Sequence, residues 1–401
     1  MRLRHAVVKR SLGRVCLHDL RSSYYAELNA AAVTALDDAL AGRGEHVAAA
    51  NILTKLRGRG LAEDGAYEPV PERSGSDLVS LEVEPIGTCN LECGHCFAGF
   101  SGAVMSDAVF EAVLRGAEEL GAVELTFNGG EPLLHRKTLD WIDEASARGL
   151  RALLFTNATV VTERTAQRLA AAHVARVTVS LDGFEAAHDQ LRGPGAFRKA
   201  EEGIGRLVAA GLTVYVTTAV HPGNRQEVDA LHRHCREKLG VKGLRITTVA
   251  AMGRAAKRPE LQLDAERFRA VYEKESPKAP RELGGRLPCN AGVDKLYVTA
   301  RGEVHGCHLF DGVTAPLGLL PQESLTHVYR TLSERRGGAL LRRFEPQALT
   351  ACQRCPAFAT CAGGCRARAW QMTGDPMGVD PVSCQKFGFV APAAERAAQH
   401  A

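Results

Sequence analysis

Three thiols lie within eight positions of one another in the run Thr88-Cys89-Asn90-Leu91-Glu92-Cys93-Gly94-His95-Cys96-Phe97. A loop of this size can fold three thiolates around one metal cluster but cannot easily supply a fourth ligand. Thiolates suit iron–sulfur clusters and zinc alike, so the count carries the information. Four cysteines would close a structural site, whereas three leave one metal position open to a ligand. The plainer alternative is a zinc knuckle completed by His95 or by a distant residue.

About thirty residues on, Val123-Glu124-Leu125-Thr126-Phe127 reads as a buried strand running into Asn128-Gly129-Gly130-Glu131-Pro132-Leu133. The two motifs, in this order and at this separation, resemble the radical S-adenosylmethionine (SAM) superfamily, with its CxxxCxxC loop and GGEP strand end. The resemblance implies that Cys89, Cys93 and Cys96 hold a 4Fe–4S cluster whose fourth iron is chelated by the amino and carboxylate groups of SAM. One electron then cleaves SAM to methionine and a 5′-deoxyadenosyl radical that abstracts hydrogen. It also sets Gly129, Gly130 and Glu131 against the methionyl amine. Paired glycines let backbone carbonyls approach an ammonium closely, and a carboxylate adds complementary charge.

Seven of the twelve cysteines follow position 288: Cys289, Cys307, Cys352, Cys355, Cys361, Cys365 and Cys384. Their order resembles the SPASM extension of radical SAM enzymes, which holds two auxiliary 4Fe–4S clusters. That resemblance gives Cys352, Cys355, Cys361 and Cys384 to an outer cluster and Cys289, Cys307 and Cys365 to an inner one, three clusters in all. Sulfatase-maturing relatives carry a further inner cysteine where this chain has Lys295. Asp294, His305 or Asp311 could fill that place, or the iron stays open. Those relatives also carry an aspartate base directly after the cysteine matched by Cys307. Here His308 stands there, a residue able to take a proton near neutral pH and hence the candidate catalytic base. A pair of zinc sites is the alternative for the whole array. Cys16 and Cys235 fit no motif and read as ordinary buried thiols.

Strands and helices alternate from residue 80 to about 255, which argues for a parallel sheet with helical crossovers. Six strand–helix units match the partial (β/α)6 barrel of the resembled family, an α/β fold. Ligands of such folds bind at the carboxyl ends of the strands, where Asn128, Asn157, Ser180 and Asp182 fall. Ser180-Leu181-Asp182-Gly183 and His188-Asp189-Gln190-Leu191-Arg192-Gly193 extend the resemblance. They imply that Ser180 and Arg192 sit near the SAM ribose and carboxylate, and a guanidinium fork suits a carboxylate.

Residues 1–62 read as a separate winged-helix-like unit, with short strands at 6–8, 15–17 and 24–28 and a helix capped by Asn29. Leu20-Arg21 through Tyr24-Tyr25 to Leu28-Asn29 resembles the peptide-recognition elements of ribosomal-peptide biosynthesis. There a precursor's leader peptide adds a strand to the sheet edge. Ten Lys and Arg against five Asp and Glu in this unit would attract an acidic leader, or DNA in the alternative reading. Residues 63–79 read as a linker, 80–255 as the barrel, 256–288 as a bridge with a helix capped by Asp264, and 289–401 as the SPASM domain.

The net charge of +4 is too mild to imply nucleic acid. The N-terminal Met1-Arg2-Leu3-Arg4-His5 lacks the apolar core of a signal peptide, and no apolar run nears the roughly eighteen residues needed to cross a bilayer. A cytoplasmic enzyme with no membrane partner is therefore expected. The expected function is a radical SAM/SPASM maturase that oxidatively cross-links side chains of a ribosomally made precursor peptide, reduced by a donor such as flavodoxin or ferredoxin. Two rivals stand beside it: a radical SAM enzyme acting on a small molecule or tetrapyrrole, and a non-catalytic metal-binding regulator.

Overall fold

The structure is a computed structural model that describes residues 2–22, 24–43, 47–64, 67–68, 72–264, 266–267, 270, 289–334, 338, 340–341 and 344–389. The chain begins with β1 (Arg2–Leu3), β2 (Ala6–Ser11), β3 (Arg14–Asp19) and β4 (Tyr25–Leu28), then α1 (Ala30–Leu40) and α2 (Val47–Arg57). Leu12 and Gly13 both take positive φ at the β2–β3 turn, as a two-residue hairpin of matching twist requires. Asn29 caps α1, its Oδ1 accepting from the Ala32 amide at 2.7 Å. Leu36 and Leu40 of α1 and Leu56 of α2 bury against Val8 and Leu17, giving this unit a core of its own.

Residues 63–79 are more than a linker. β5 (Ala62–Glu63) pairs with β1, and β6 (Glu72–Arg73) pairs with β2, so the four-stranded sheet runs β4-β3-β2-β6. The polar composition hid these strands because each is two residues long and their backbone pairing needs no apolar pattern.

Six parallel strands follow in sequential order: β7 (Ser80–Val83), β8 (Glu124–Phe127), β9 (Arg151–Thr156), β10 (Arg176–Ser180), β11 (Val214–Val220) and β12 (Gly243–Thr248). Between them run α3 (Asp107–Glu119), α4 (Thr138–Ala147), α5 (Glu163–Ala171), α6 (Glu185–Arg192), α7 (Ala196–Ala209) and α8 (Val228–Glu237). Ser106 caps α3 through Val109 N at 3.3 Å. β8 and β9 are buried along almost their whole length, as expected for parallel strands covered on both faces.

The part after residue 289 does not form a separate layer. β13 (Lys295–Val298) pairs parallel with β7, and β14 (Glu303–His305) and β15 (Gly318–Leu319) continue antiparallel, extending the sheet to nine strands. Leu296, Val298, Val304, Phe310 and Leu325 share one buried cluster with Leu81, Val113 and Leu125. In the bridge, Asp264 Oδ1 accepts from Arg267 N at 2.8 Å, which is the expected cap bond. Phe268, Val271 and Tyr272 lie outside the described residues.

The N-terminal unit is fastened to the barrel by a buried cation. Lys9, 1% exposed, donates from Nζ to the carbonyls of Ser76 and Gly121, both at 2.8 Å. Gly121 follows the C-terminus of α3, where unpaired carbonyls favour positive charge. Arg151 Nη1 donates to the Tyr24 carbonyl at 3.2 Å from the barrel side.

Candidate active site

The three-thiol loop leaves the C-terminal end of β7 and is pinned at its base. Gly87 N donates to Ala103 O at 2.9 Å, Gly102 N to Gly87 O at 3.0 Å and Met105 N to Pro85 O at 2.9 Å. Residues 88–101 are thus held as one projecting loop. Within it Cys93 is buried, and Cys89 and Cys96 are half-buried. Burial pushes the Cys93 thiol up, an effect opposed by Arg192 and reinforced by Cys96 and Cys89. Three mutually close thiols in one loop, and no fourth in that loop, fit a cluster with an open iron.

Gly129 and Gly130 lie at the end of β8, and both are required by packing. A Cβ on Gly130 would collide with the Thr88 carbonyl, and one on Gly129, whose φ is +120°, would meet Glu84 Cγ at 2.6 Å. Their first effect is to let the β8 end lie directly against the cluster loop. Glu131 N then donates to Thr88 O at 3.0 Å.

The Glu131 carboxylate does not point outward. It is wholly buried and accepts from Thr156 Oγ1 at 2.8 Å, Asn157 N at 2.7 Å and Leu133 N at 3.1 Å. Burial pushes this carboxyl up to about 7 against those three bonds. The expected charge contact with an amine therefore does not come from this side chain, which instead ties the ends of β8 and β9 together. Asn157, expected at the SAM-binding strand ends, faces the loop, with Nδ2 3.0 Å from Asn90 Oδ1 and 3.7 Å from Cys89 Sγ.

Asp182 is likewise sealed from solvent. It takes Arg192 Nε at 2.5 Å on Oδ2 and the Ala219 amide at 2.7 Å on Oδ1, so it positions Arg192 and cannot itself touch a cofactor. Arg192 places Nη1 3.7 Å from Cys93 Sγ. Nη2 of the same fork is 3.4 Å from His95 Nε2, and His95 Nε2 is 3.7 Å from Asp182. His95 thus turns its Nε2 toward Arg192 and Asp182, while its buried Nδ1 has no hydrogen-bond partner. Burial, with Arg192 next, lowers its pKa to about 4, so it stays neutral. Ser180 ends β10 half-buried, and Asn128, directly after β8, is half-buried.

Several neighbours of the loop carried no sequence signal. Arg254 N donates to Cys96 O at 2.9 Å, Gly94 N donates to Leu191 O at 2.8 Å, and Arg258 packs so tightly on Gly94 that a Cβ there would strike its guanidinium. A small cavity beside the loop is lined by Phe97, Asn128, Tyr297, His308, Asp311 and Gln371, joining the barrel to the C-terminal part.

His308 has a different setting from that of a free base. Its Nδ1 is 2.7 Å from Glu82 Oε2, and Glu82 Oε1 is 2.8 Å from Lys295 Nζ. Burial disfavours charge on the imidazole, but Glu82 and Cys307 overcome it and hold the pKa up to about 10. An imidazole already protonated at neutral pH has no lone pair with which to accept a substrate proton. Lys295 donates to the same carboxylate.

Cys352, Cys355, Cys361 and Cys384 line a single cavity of about 310 Å3. Four thiols around one space fit a closed thiolate-ligated group. Gly364, with φ of +73°, allows the turn between Cys361 and Cys365, since a Cβ there would collide with Asp380 and Ser383. Cys365 and Cys307 are near enough to interact electrostatically. Cys235 is buried in α8, its thiol pushed up to about 11 by burial, and Cys16 lies half-buried on β3.

Residues 83–235 match the model of the radical SAM superfamily. The AdoMet-dependent heme synthase of Nitratidesulfovibrio vulgaris is 28% identical over 81% of this chain and 97% of its own length. The mycofactocin maturase MftC of Mycolicibacterium smegmatis is 29% identical over 82% of this chain and 90% of its own. Among solved structures, Streptococcus suis SuiB bound to the precursor peptide SuiA superposes with a TM-score of 0.70 at 14% identity, covering 96% of this chain and 99% of SuiB, a likeness of fold. No helix among the described residues is long and apolar enough to cross a membrane. The reading as a non-catalytic regulator is set aside by these matches. Residues 83–235 are a radical SAM domain, and the chain is a radical SAM enzyme dependent on S-adenosylmethionine and an iron–sulfur cluster.

Proposed function

We propose that this enzyme is a maturase that oxidatively cross-links side chains of a ribosomally made precursor peptide, whose leader pairs with the outer edge of β4. The observation that carries this reading is the unpaired edge itself. β4 ends its sheet, and among the described residues no strand covers its outer side. Asp19 N donates to Tyr24 O at 3.1 Å, so the ladder alternation turns the Tyr24, Ala26 and Leu28 backbone toward β3. The Tyr25 and Glu27 backbone groups then face outward, and both residues are exposed. An edge of this kind binds an extended peptide through main-chain hydrogen bonds. Lys9 and Arg151 fix the sheet to the barrel, so a bound leader would be held at a set distance from the site. The mycofactocin maturase relative and the SuiB–SuiA complex support the same reading by analogy.

In this reading residues 1–62 bind the leader, 80–255 form the barrel and 289–401 form the SPASM domain. Bound SAM and its cluster supply a 5′-deoxyadenosyl radical that abstracts hydrogen from the substrate. Cys89, Cys93 and Cys96 hold that cluster, and Arg192, set by Asp182, faces the SAM carboxylate. Asn128, Gly129, Gly130, Asn157 and Ser180 complete the SAM-binding wall, with Glu131 fixing their backbone. A cross-link is a net oxidation; Cys352, Cys355, Cys361 and Cys384 would hold an outer auxiliary cluster and Cys289, Cys307 and Cys365 an inner one, and such clusters would supply an acceptor for the electron that the new bond releases. Flavodoxin or ferredoxin is the proposed reductant.

The heme synthase relative favours a second reading, a tetrapyrrole substrate with residues 1–62 as a structural cap. Glu27→Pro separates the two. It removes an outward amide from the β4 edge without breaking the β3–β4 ladder. Anaerobic binding of a labelled short acidic peptide, followed by fluorescence anisotropy, should weaken at least tenfold in the variant. Unchanged peptide binding would overturn edge pairing, and turnover of a tetrapyrrole with no peptide binding would establish the second reading.

A further inference from the structure

Glu303 and His305 stand two residues apart on β14, so their side chains leave the same face of the sheet. Asp311 meets them from the loop that follows Cys307. One donor atom from each of the three lies within 4.8 Å of the other two. His305 is 2% exposed, yet neither ring nitrogen has a hydrogen-bond partner. Its Nε2 is 3.8 Å from Asp311 Oδ1, too long for a hydrogen bond. Two ligands each about 2.1 Å from a shared cation stand about 3–4 Å apart, which is the separation seen. A buried imidazole without partners is costly unless something occupies its lone pair.

The charge balance points the same way. Glu84, 5% exposed, adds a third carboxylate next to the group. Its Oε2 accepts from the Ala300 amide at 3.1 Å.

We propose that Glu303, His305 and Asp311 bind one divalent cation, distinct from the iron–sulfur clusters. One imidazole with two carboxylates is a ligand set for Mn2+, Fe2+ or Zn2+ rather than for a soft, thiolate-seeking ion. Bound there, the cation ties Asp311 to β14. It thereby fixes the wall of the cavity that Asp311 shares with Phe97, Asn128 and His308. The inference is independent of what the enzyme's substrate is.

The test uses the full chain with its clusters reconstituted anaerobically and adventitious metal removed on a chelating resin. Mn2+ is titrated in, and the free ion is read from its room-temperature EPR signal. One Mn2+ should bind per chain and be displaced by Zn2+. His305→Gln and Asp311→Asn should each weaken binding at least tenfold without changing iron content. The half-exposed Asp311 gives a variant that keeps the fold if the buried histidine cannot be replaced. Absence of saturable Mn2+ binding, or wild-type binding in Asp311→Asn, overturns the proposal. So does loss of iron or an altered cluster EPR spectrum in His305→Gln, which would put His305 on the inner cluster instead.

Discussion

Lys295 Nζ and Glu82 Oε1 lie 2.8 Å apart across the pairing of β13 with β7, and the other oxygen of Glu82 holds His308 Nδ1 at 2.7 Å. One buried carboxylate thus serves two cations and bolts the C-terminal part to the barrel. Replacing one member of such a group leaves the others charged and unpaired, at a cost of about 3–5 kcal/mol. Glu82→Gln should therefore lower stability by about that amount in anaerobic denaturant unfolding. Adding Lys295→Met should restore part of the loss, because one stranded charge is then gone. A single variant as stable as wild type would show that the group carries no net coupling.

Glu131 makes stability pH-dependent in a direction opposite to that of most carboxylates. Its folded pKa is raised from 4.5 to about 7 by burial. The protonated form is therefore favoured on folding, and its contribution is complete below about pH 4.5 and lost as pH rises through about 7. One pKa unit is about 1.4 kcal/mol, so the full span is about 3 kcal/mol. Between pH 5.5 and 8, Glu131→Gln should flatten this falling component of the unfolding free energy. Identical pH profiles for wild type and variant would refute the assignment.

Lys9→Met removes the cation that satisfies the carbonyls of Ser76 and Gly121. Hydrogen bonds to a charged donor contribute about 1.5–3 kcal/mol each, and buried carbonyls left alone add a penalty. The N-terminal unit has its own core, so the expected outcome is loosened docking rather than unfolding of that unit. Hydrogen exchange should show faster exchange at Ser76–Leu78 and Leu120–Ala122, with the β2–β3 hairpin protected as before.

Iron content tests the division of cysteines. Three 4Fe–4S clusters require about twelve irons per chain. Cys384→Ser, which alters one of the four thiols around the 310 Å3 cavity, should leave about eight with SAM cleavage still measurable. Loss of all iron would mean that the cavity holds the fold together before it holds a cluster.

The strands of the barrel were legible because parallel strands buried on both faces announce themselves as apolar runs, as in Leu125-Thr126-Phe127 and Val177-Thr178-Val179. The cysteine loop and Gly129-Gly130 were legible because metal ligation and close backbone approach admit few residue types. Other features were hidden for physical reasons. β6 is two residues in a polar stretch, and its pairing with β2 is written in backbone alone. Glu82 sits within a strand, and nothing local says that it meets Lys295 over two hundred positions away. The family resemblance sets Glu131 against the cofactor, and the carboxyl end of a strand, where ligands bind, sets Asp182 there. Their burial, which turns both into positioning residues, is a tertiary property. The setting of His308 was hidden for the same reason, since its contact with Glu82 joins residues far apart in the chain.

Arg192 connects the radical site to that buried layer, and its chemistry separates a binding role from a structural one. Its Nε is held by Asp182 at 2.5 Å while Nη1 reaches to 3.7 Å from Cys93 Sγ. Lysine keeps the charge but loses the planar fork that lets one end be anchored while the other presents donors. Arg192→Lys should therefore weaken SAM binding by about ten- to a hundredfold, matching the loss of about 1.5–3 kcal/mol for a charged hydrogen bond, with iron content unchanged. Asp182→Asn leaves the guanidinium in place but frees its orientation, so SAM affinity should fall by a smaller factor, and the EPR spectrum of the SAM-bound cluster should broaden while the SAM-free spectrum stays as in wild type. If Arg192→Lys loses iron before it loses SAM, the residue supports the cluster loop and the carboxylate of SAM is bound elsewhere.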